Sequence, residues 1–383
     1  MPELAVDDTR KPCRYYCALS LILLVMVIGI CANEYFSTSV EGEINRMIID
    51  ELKSISPEME FYFFADKVFA PKFSKVGHTH FSAVKQGEKR SWRRKWFQTV
   101  YLPKAIKKNG IEVMIYLRPD EVSRQAIPQF LALSDAALLS LWDTKRMNLL
   151  KAFIVTSSYL KAALAQLNLI PDKNVILVEG IKGIEFDAPS FDDKYATKEA
   201  YTGGKPFFAC TDFDVDAEKF VLLLKSFSLF KQRQQSNWYL VMMLRNKKKQ
   251  NELNDLLSNY KYRTDVKLMS NLHPTEFHLI LASAYCVISV SDAEMFPVSV
   301  FESFFHQVPA IALNTKTNSE YADVLKLVEQ KKPAPFAEEM MFFYKDEALR
   351  EDLATKGNDF LTKFDFEKQV SELKTMLLQT KQR

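Results

Sequence analysis

Short, nearly uncharged apolar runs rich in β-branched residues recur along the whole chain, and helical or turn segments separate them. This alternation constrains the fold more than any other feature, because a strand buried on both faces reads as a continuous apolar run and its parallel neighbour needs a crossover helix. In the first half the runs are "MVIGICA" (26–32), "EFYFFAD" (60–66), "IEVMIYL" (111–117), "QFLAL" (129–133), "AFIVT" (152–156) and "NVILV" (174–178). A second series holds "FFAC" (207–210), "WYLVMML" (238–244), "DVKLM" (265–269), "AYCVISV" (284–290) and "VPAIAL" (308–313). Between the first two runs, "EGEINRMIIDELKSI" (41–55) sets Ile44, Met47, Ile48, Leu52 and Ile55 on one helical face. Two parallel α/β domains facing each other across a crevice follow from this pattern.

The chain of 383 residues exceeds one ordinary core and fits two domains, and with 48% hydrophobic residues each can bury its own. The expected division is an N-terminal extension (1–25), a first domain (26–190), a linker (191–205), a second domain (206–365) and a final helix (366–383) packing back on the first domain. The stretch 186–206, rich in charge and breakers, reads as the interdomain connection. A formal net charge of +3 is too small for a general nucleic-acid binder, and no nucleic-acid partner is expected. Cys13, Cys17, Cys31, Cys210 and Cys286 show no paired spacing and read as reduced residues of a cytoplasmic protein. His78 and His80 have no matching ligand cluster nearby, so no metal site is expected.

Two stretches admit two readings each. "ALSLILLVMVIGICA" (18–32) serves either as a membrane anchor, short of the roughly 20 residues a spanning helix needs, or, through 26–32, as the first strand of a βαβ unit. The strand is preferred, because the helix and strand after it need a partner. In 78–110, Lys89, Arg90, Arg93, Arg94 and Lys95 interleave with Trp92, Trp96 and Phe97. Such a stretch suits an anionic membrane surface, with peripheral contact through 89–97; alternatively it is a solvated helix face whose tryptophans pack inward.

"SDAEMFPVSVFESFFHQVPAIALN" (291–314) places Glu294 and Glu302 eight positions apart, where a buried strand gives way to a helix. In parallel sheets the crevice beyond the carboxyl ends of the strands is where ligands bind. A carboxylate there can accept hydroxyl protons from a polyol.

With this spacing and with "SPEMEFYFFAD", "YLPKAIKKNGIEV", "FIVTSSYLK", "KSFSLFKQRQQSN" and "DEALREDLATKG" in order, the chain resembles glycosyltransferase family 4, retaining enzymes of the GT-B fold, over roughly residues 26–380. The resemblance implies two facing Rossmann-like domains with an interdomain cleft and a C-terminal helix crossing back. It also implies transfer of a sugar from a nucleotide sugar, with retention, to a saccharide or lipid-linked acceptor, in cell-envelope polysaccharide synthesis on the cytoplasmic side. No cofactor and no metal is implied. By position, Glu302 would bind the donor's ribose, Glu294 would face the transferred sugar beside Asp135, and Lys219 and Arg245 would meet the diphosphate.

The departures from the family pattern cluster at the phosphates and the reacting centre. Met295 and Pro297 stand where the family has glycines, and proline has no amide hydrogen to offer a phosphate. Ala217 and Glu218 take the places of a phosphate-binding arginine and lysine, Leu244 replaces a glycine, Ser134 replaces a histidine, and the first domain's glycine-rich turn is reduced to Gly42. Each hydrogen bond to a charged group contributes roughly 1.5–3 kcal/mol, so losing two or three lowers donor affinity on the order of a thousandfold unless Lys219, Arg245 or 245–249 compensates. A non-catalytic scaffold or binding subunit that has lost the donor is the alternative reading.

Overall fold

The structure, a computed structural model, describes residues 26–73, 78–84, 92–141, 144–167, 174–182, 187–212, 215–244 and 247–381. Its first sheet holds β1 (Met26–Cys31), β2 (Met59–Ala65), β3 (Thr79–Ala83), β4 (Val113–Tyr116), β5 (Gln129–Leu133), β6 (Ala152–Val155) and β7 (Val175–Leu177). They lie in the order β3-β2-β1-β4-β5-β6-β7, all parallel. The second sheet holds β8 (Phe207–Cys210), β9 (Tyr239–Leu244), β10 (Val266–Ser270), β11 (Cys286–Ser289), β12 (Ala310–Leu313) and β13 (Lys326–Val328). Their order is β10-β9-β8-β11-β12-β13, again all parallel. Each sheet starts at its middle and winds outward in both directions, leaving a crevice at the strand where the winding reverses.

The segment 26–32 is the central strand of the first sheet, with Met26 opposite Met59 and Ile28 opposite Val113. Met26, Ile28 and Ile30 are fully buried. Residues 18–25 lie outside the described residues, as do Cys13 and Cys17; among the described residues no helix is long and apolar enough to cross a membrane. Cys31, Cys210 and Cys286 are buried in β1, β8 and β11 and form no disulfide.

The helix Val40–Ser54 follows β1. Ser39 caps it by accepting the Gly42 amide at 3.0 Å, and Glu41 and Glu43 in its first turn complement the helix dipole. Ile44, Ile48 and Leu52 face the core, as their spacing requires. Gly42 is needed for space: a Cβ there would stand 2.6 Å from the Glu34 carbonyl oxygen.

Two strands were not foreseen. β3 occupies 79–83, at the start of the basic stretch, and β13 follows "VPAIAL". Both are short strands at sheet edges, only partly buried, and such strands lack the continuous apolar run that marks a central one. The connection read at 191–205 is also more ordered than its composition implied, because Phe191–Thr202 is a helix. A capping box of Ser190 and Asp193 starts it, and Gly203, at φ 59°, ends it. Its apolar residues form no stripe, with Phe191 81% exposed, so the helical period was hidden. It packs on the helix Pro274–Ser283, where the Tyr201 hydroxyl donates to Glu276.

The last helix, Phe366–Lys381, returns to the first lobe. Val370, Leu373 and Leu377 are fully buried, and Lys374 donates to the Ile55 carbonyl at 2.6 Å and pairs with Glu58 at 2.8 Å. Its Gln369 accepts the Glu179 amide at 2.5 Å, and the Glu179 carboxylate takes the Tyr321 hydroxyl of the second lobe at 2.7 Å. The lobes are therefore tied together at the back of the cleft.

Candidate functional site

The carboxyl ends of β8, β9, β10 and β11 open toward the loop after β1, and two cavities lie between the lobes. One, of about 550 Å³, is walled by Ser37, Thr38 and Lys72 of the first lobe and by Asp212, Lys248 and Lys249 of the second. The other, of about 350 Å³, holds Glu302 and His278 with Met243, Leu272 and Phe277, and faces Glu43 of the first lobe. A cavity of mixed lining, with Met243, Leu272 and Phe277 beside the polar Asn271, His278 and Glu302, suits a ring carrying hydroxyls.

Glu302 rides on the helix Val298–Phe305 and is half-buried at the wall of the second cavity, pointing to the cleft and not into the apolar interior. Glu294 occupies the loop between β11 and that helix. Its carboxylate accepts the amides of Lys316 at 3.1 Å and Thr317 at 3.0 Å, which fixes the loop after β12 against it. Charge-assisted bonds of this kind hold an acid in one orientation.

Asp135, two residues past β5, is buried and accepts the Ala137 amide at 2.8 Å. It forms an antiparallel bridge with Met295 of the other lobe, and the Ala136 amide donates to the Glu294 carbonyl at 3.1 Å. Asp135 and Glu294 are thus brought together, across a seam where the two lobes touch backbone to backbone.

Lys219 lies elsewhere. It sits in the first turn of the helix Ala217–Gln234, where Asp216 caps its amide at 2.9 Å, and its ammonium pairs with Asp292 at 2.9 Å. Lys331 reaches the same carboxylate at 2.8 Å. Burial alone would raise the Asp292 pKa, but hydrogen bonds from Lys331 and Lys219 outweigh it and hold the carboxyl down at about 2. Lys219 therefore joins the loop that carries Glu294 and does not line the cavity of Glu302. Arg245 lies outside the described residues.

The turn into the helix Val298–Phe305 has few amides to give. Pro297 has none, the Val298 amide donates to Phe296 at 3.0 Å, and a pocket of only about 30 Å³ remains among Ser291, Met295, Pro297 and Ser299. Asp212, two residues past β8, takes the Val290 and Ser291 amides at 2.7 and 3.1 Å. A carboxylate already occupies these donors.

A chain of charges runs from the first-lobe loop to the surface. Glu34 accepts the hydroxyls of Ser37 at 2.8 Å and Ser39 at 2.5 Å, and pairs with Arg118 at 3.3 Å. Arg118 meets Asp120 at 3.1 Å, and Asp120 meets Arg94 at 2.9 Å. Beneath them Glu121 is buried, and desolvation pushes its carboxyl up to about 8, against the pull of Arg94. Arg94 thus faces inward, whereas Trp92 is 73% and Trp96 46% exposed. Inward-packed tryptophans, one of the two readings of this stretch, are overturned. Phe97 alone of the three aromatics is buried there.

Sequence reasoning missed Asp212 and His278. Asp212 was findable, since an acid directly past a buried strand is the same signal that exposed Glu294. His278 stands alone in the apolar run "TEFHLIL" and gives no such signal.

Residues 196–360 match the family model described as glycosyl transferases group 1. No curated protein matches the sequence. A glycosyltransferase from Rickettsia africae superimposes with a TM-score of 0.72 at 12% identity, over 93% of this chain and 98% of that one. The fold is that of the GT-B glycosyltransferases. Anabaena HepE in complex with UDP gives a TM-score of 0.70 at 12% identity, over 92% and 99% of the chains. WaaG, a glycosyltransferase involved in lipopolysaccharide biosynthesis, gives 0.70 at 10% identity, over 91% and 99%. At these identities the likeness is one of GT-B architecture.

Proposed function

We propose that this chain is a retaining glycosyltransferase that takes a sugar from a nucleotide sugar and passes it to a saccharide or lipid-linked acceptor in envelope polysaccharide synthesis. One observation carries the reading: Glu302 lines a cavity of mixed polar and apolar lining in the interlobe crevice, beyond the carboxyl ends of β9 and β10. In this account the nucleobase lies along Met243, Leu272 and Phe277, and Glu302 accepts the ribose hydroxyl protons. Glu294, beside Asp135, orients the transferred sugar, and no protein nucleophile is invoked. Lys219 and Arg245 offset the diphosphate charge as it departs, and Lys219 must exchange Asp292 for phosphate to do so. The Anabaena HepE structure in complex with UDP-glucose supports the donor class, and the likeness to WaaG, involved in lipopolysaccharide biosynthesis, supports the envelope role. Exposed Trp92 and Trp96 beside Arg93 and Lys95 support peripheral contact with an anionic membrane, on its cytoplasmic face where nucleotide sugars are made.

A panel of nucleotide sugars incubated with candidate acceptors tests this reading. Release of nucleoside diphosphate dependent on acceptor, with the product's anomeric configuration retained by proton NMR, is the expected result. No turnover with any pair would favour the second reading.

That second reading is a scaffold or binding subunit. The Asp135–Met295 bridge favours it, because in this conformation the lobes meet where the resemblance puts the sugar, and Asp212 already takes two strand-end amides. Under it, Glu302→Ala leaves complementation of a deletion strain intact; the enzyme loses it.

A further inference from the structure

We infer that His278, oriented by the buried His306, is a further donor-binding residue that holds the nucleoside in the cavity it shares with Glu302. This rests on the nucleotide-sugar reading above and adds a residue to it. His278 lies on the helix Pro274–Ser283 and lines the cavity of about 350 Å³ together with Glu302. Its Nδ1 stands 3.1 Å from Nε2 of His306, and the Phe277 ring meets its flank edge-on at 5.4 Å between centroids. The imidazole is therefore held from two sides.

His306 is built to be a rigid partner. It ends the helix that carries Glu302, four residues on, where its amide donates to Ser303 at 3.0 Å and Gln307 turns away with φ 55°. Burial first, then the neighbouring His278 and Lys194, push its pKa down to about 4, so it stays neutral under ordinary conditions. In this inference His306 donates its Nε2 hydrogen to Nδ1 of His278, which leaves the His278 proton on Nε2 as the donor. Glu302 and His306 share one short helix, so the acid and the orienting imidazole move together.

The chemistry of the two wall groups is complementary. A carboxylate only accepts, and a ribose diol whose protons go to Glu302 still has oxygen lone pairs that seek a donor. An oriented imidazole supplies such a donor where a second carboxylate could not. A purely structural His278–His306 tie between two helices would matter for stability alone.

The test titrates uridine diphosphate and guanosine diphosphate into the full chain and into His278→Ala and His278→Phe. Whichever diphosphate binds the wild type is expected to bind both variants roughly two- to tenfold more weakly, the effect of losing one hydrogen bond of ordinary strength. The thermal midpoint of ligand-free His278→Phe, which keeps a ring in place, is expected to stay near that of the wild type. In parallel, the imidazole 15N resonances of wild-type His278 should shift on addition of the diphosphate. Undiminished binding by the variants, or unmoved His278 resonances while the diphosphate binds, overturns the inference and spares the donor reading. Absence of binding of either diphosphate to the wild type overturns both.

Discussion

Asp135 of the first lobe pairs backbone to backbone with Met295 of the second, and beside them the Ala136 amide donates to the Glu294 carbonyl at 3.1 Å. The proposed function puts the transferred sugar at this seam, so under it the two lobes must part to admit a hexose. The Ala136 amide reports on this directly. Its hydrogen exchange is expected to be slow in the free protein and to quicken when a saturating nucleotide sugar is added. Equal protection in both states would mean that the seam stays shut and that the donor does not reach Glu294.

Glu294 has a structural duty beside any catalytic one, since its carboxylate accepts the Lys316 and Thr317 amides. Glu294→Ala strands both donors, and at roughly 1–3 kcal/mol per unsatisfied group the expected loss is about 2–4 kcal/mol after water reaches the loop. Glu294→Gln keeps one acceptor oxygen and should recover about half. Urea unfolding monitored by fluorescence separates the three proteins, and equal midpoints would contradict the assignment.

Gly42 and Gly110 make opposite demands. A Cβ at Gly42 meets the Glu34 carbonyl at 2.6 Å, a backbone atom that cannot step aside, whereas a Cβ at Gly110 meets nothing within 4 Å but must adopt φ 62°. Gly110→Ala should therefore cost only the left-handed backbone, roughly 1–2 kcal/mol. Gly42→Ala should cost more, because it displaces the loop that carries Ser37 and Ser39. The two thermal midpoints check this order; the reverse order would contradict it.

Glu121 gives stability a pH dependence of definite sign. Its folded carboxyl is raised from 4.5 to about 8, chiefly by burial. The folded state therefore holds a proton that the unfolded chain has given up between these values. The stabilising contribution is complete below 4.5 and is lost as pH rises through about 8. Wild-type protein should be less stable at pH 8 than at pH 5, and Glu121→Gln, neutral throughout, should flatten that slope. Chemical denaturation at the two pH values measures it; a slope unchanged in the variant would place its origin elsewhere.

The fold was legible because its information lies in central strands. "MVIGICA" and "AYCVISV" are apolar without interruption, since both faces of β1 and β11 are covered, and the helix and strand after "MVIGICA" favour a strand over an anchor. β3 and β13 escaped because an edge strand meets solvent on one side and carries mixed residues. The helix Phe191–Thr202 escaped because its apolar side chains point in several directions, although its Ser190–Asp193 box was there to be read. The site was legible only in part. Glu294 and Glu302 announce themselves by following a buried strand, but the pairing of Lys219 with Asp292 depends on how a loop folds back across a lobe. The bridge from Asp135 to Met295 depends on the relative placement of two domains, which no local pattern encodes.

Calorimetric titration of the wild type and Glu302→Ala with a panel of nucleotide sugars tests the central claim most directly. Two charge-assisted hydrogen bonds at roughly 1.5–3 kcal/mol each imply that the variant loses at least about a hundredfold in affinity with its thermal midpoint unchanged. Saturable heat for one donor with the wild type, absent from the variant, is the predicted result. No heat from any donor, or equal binding by the two proteins, would contradict the account.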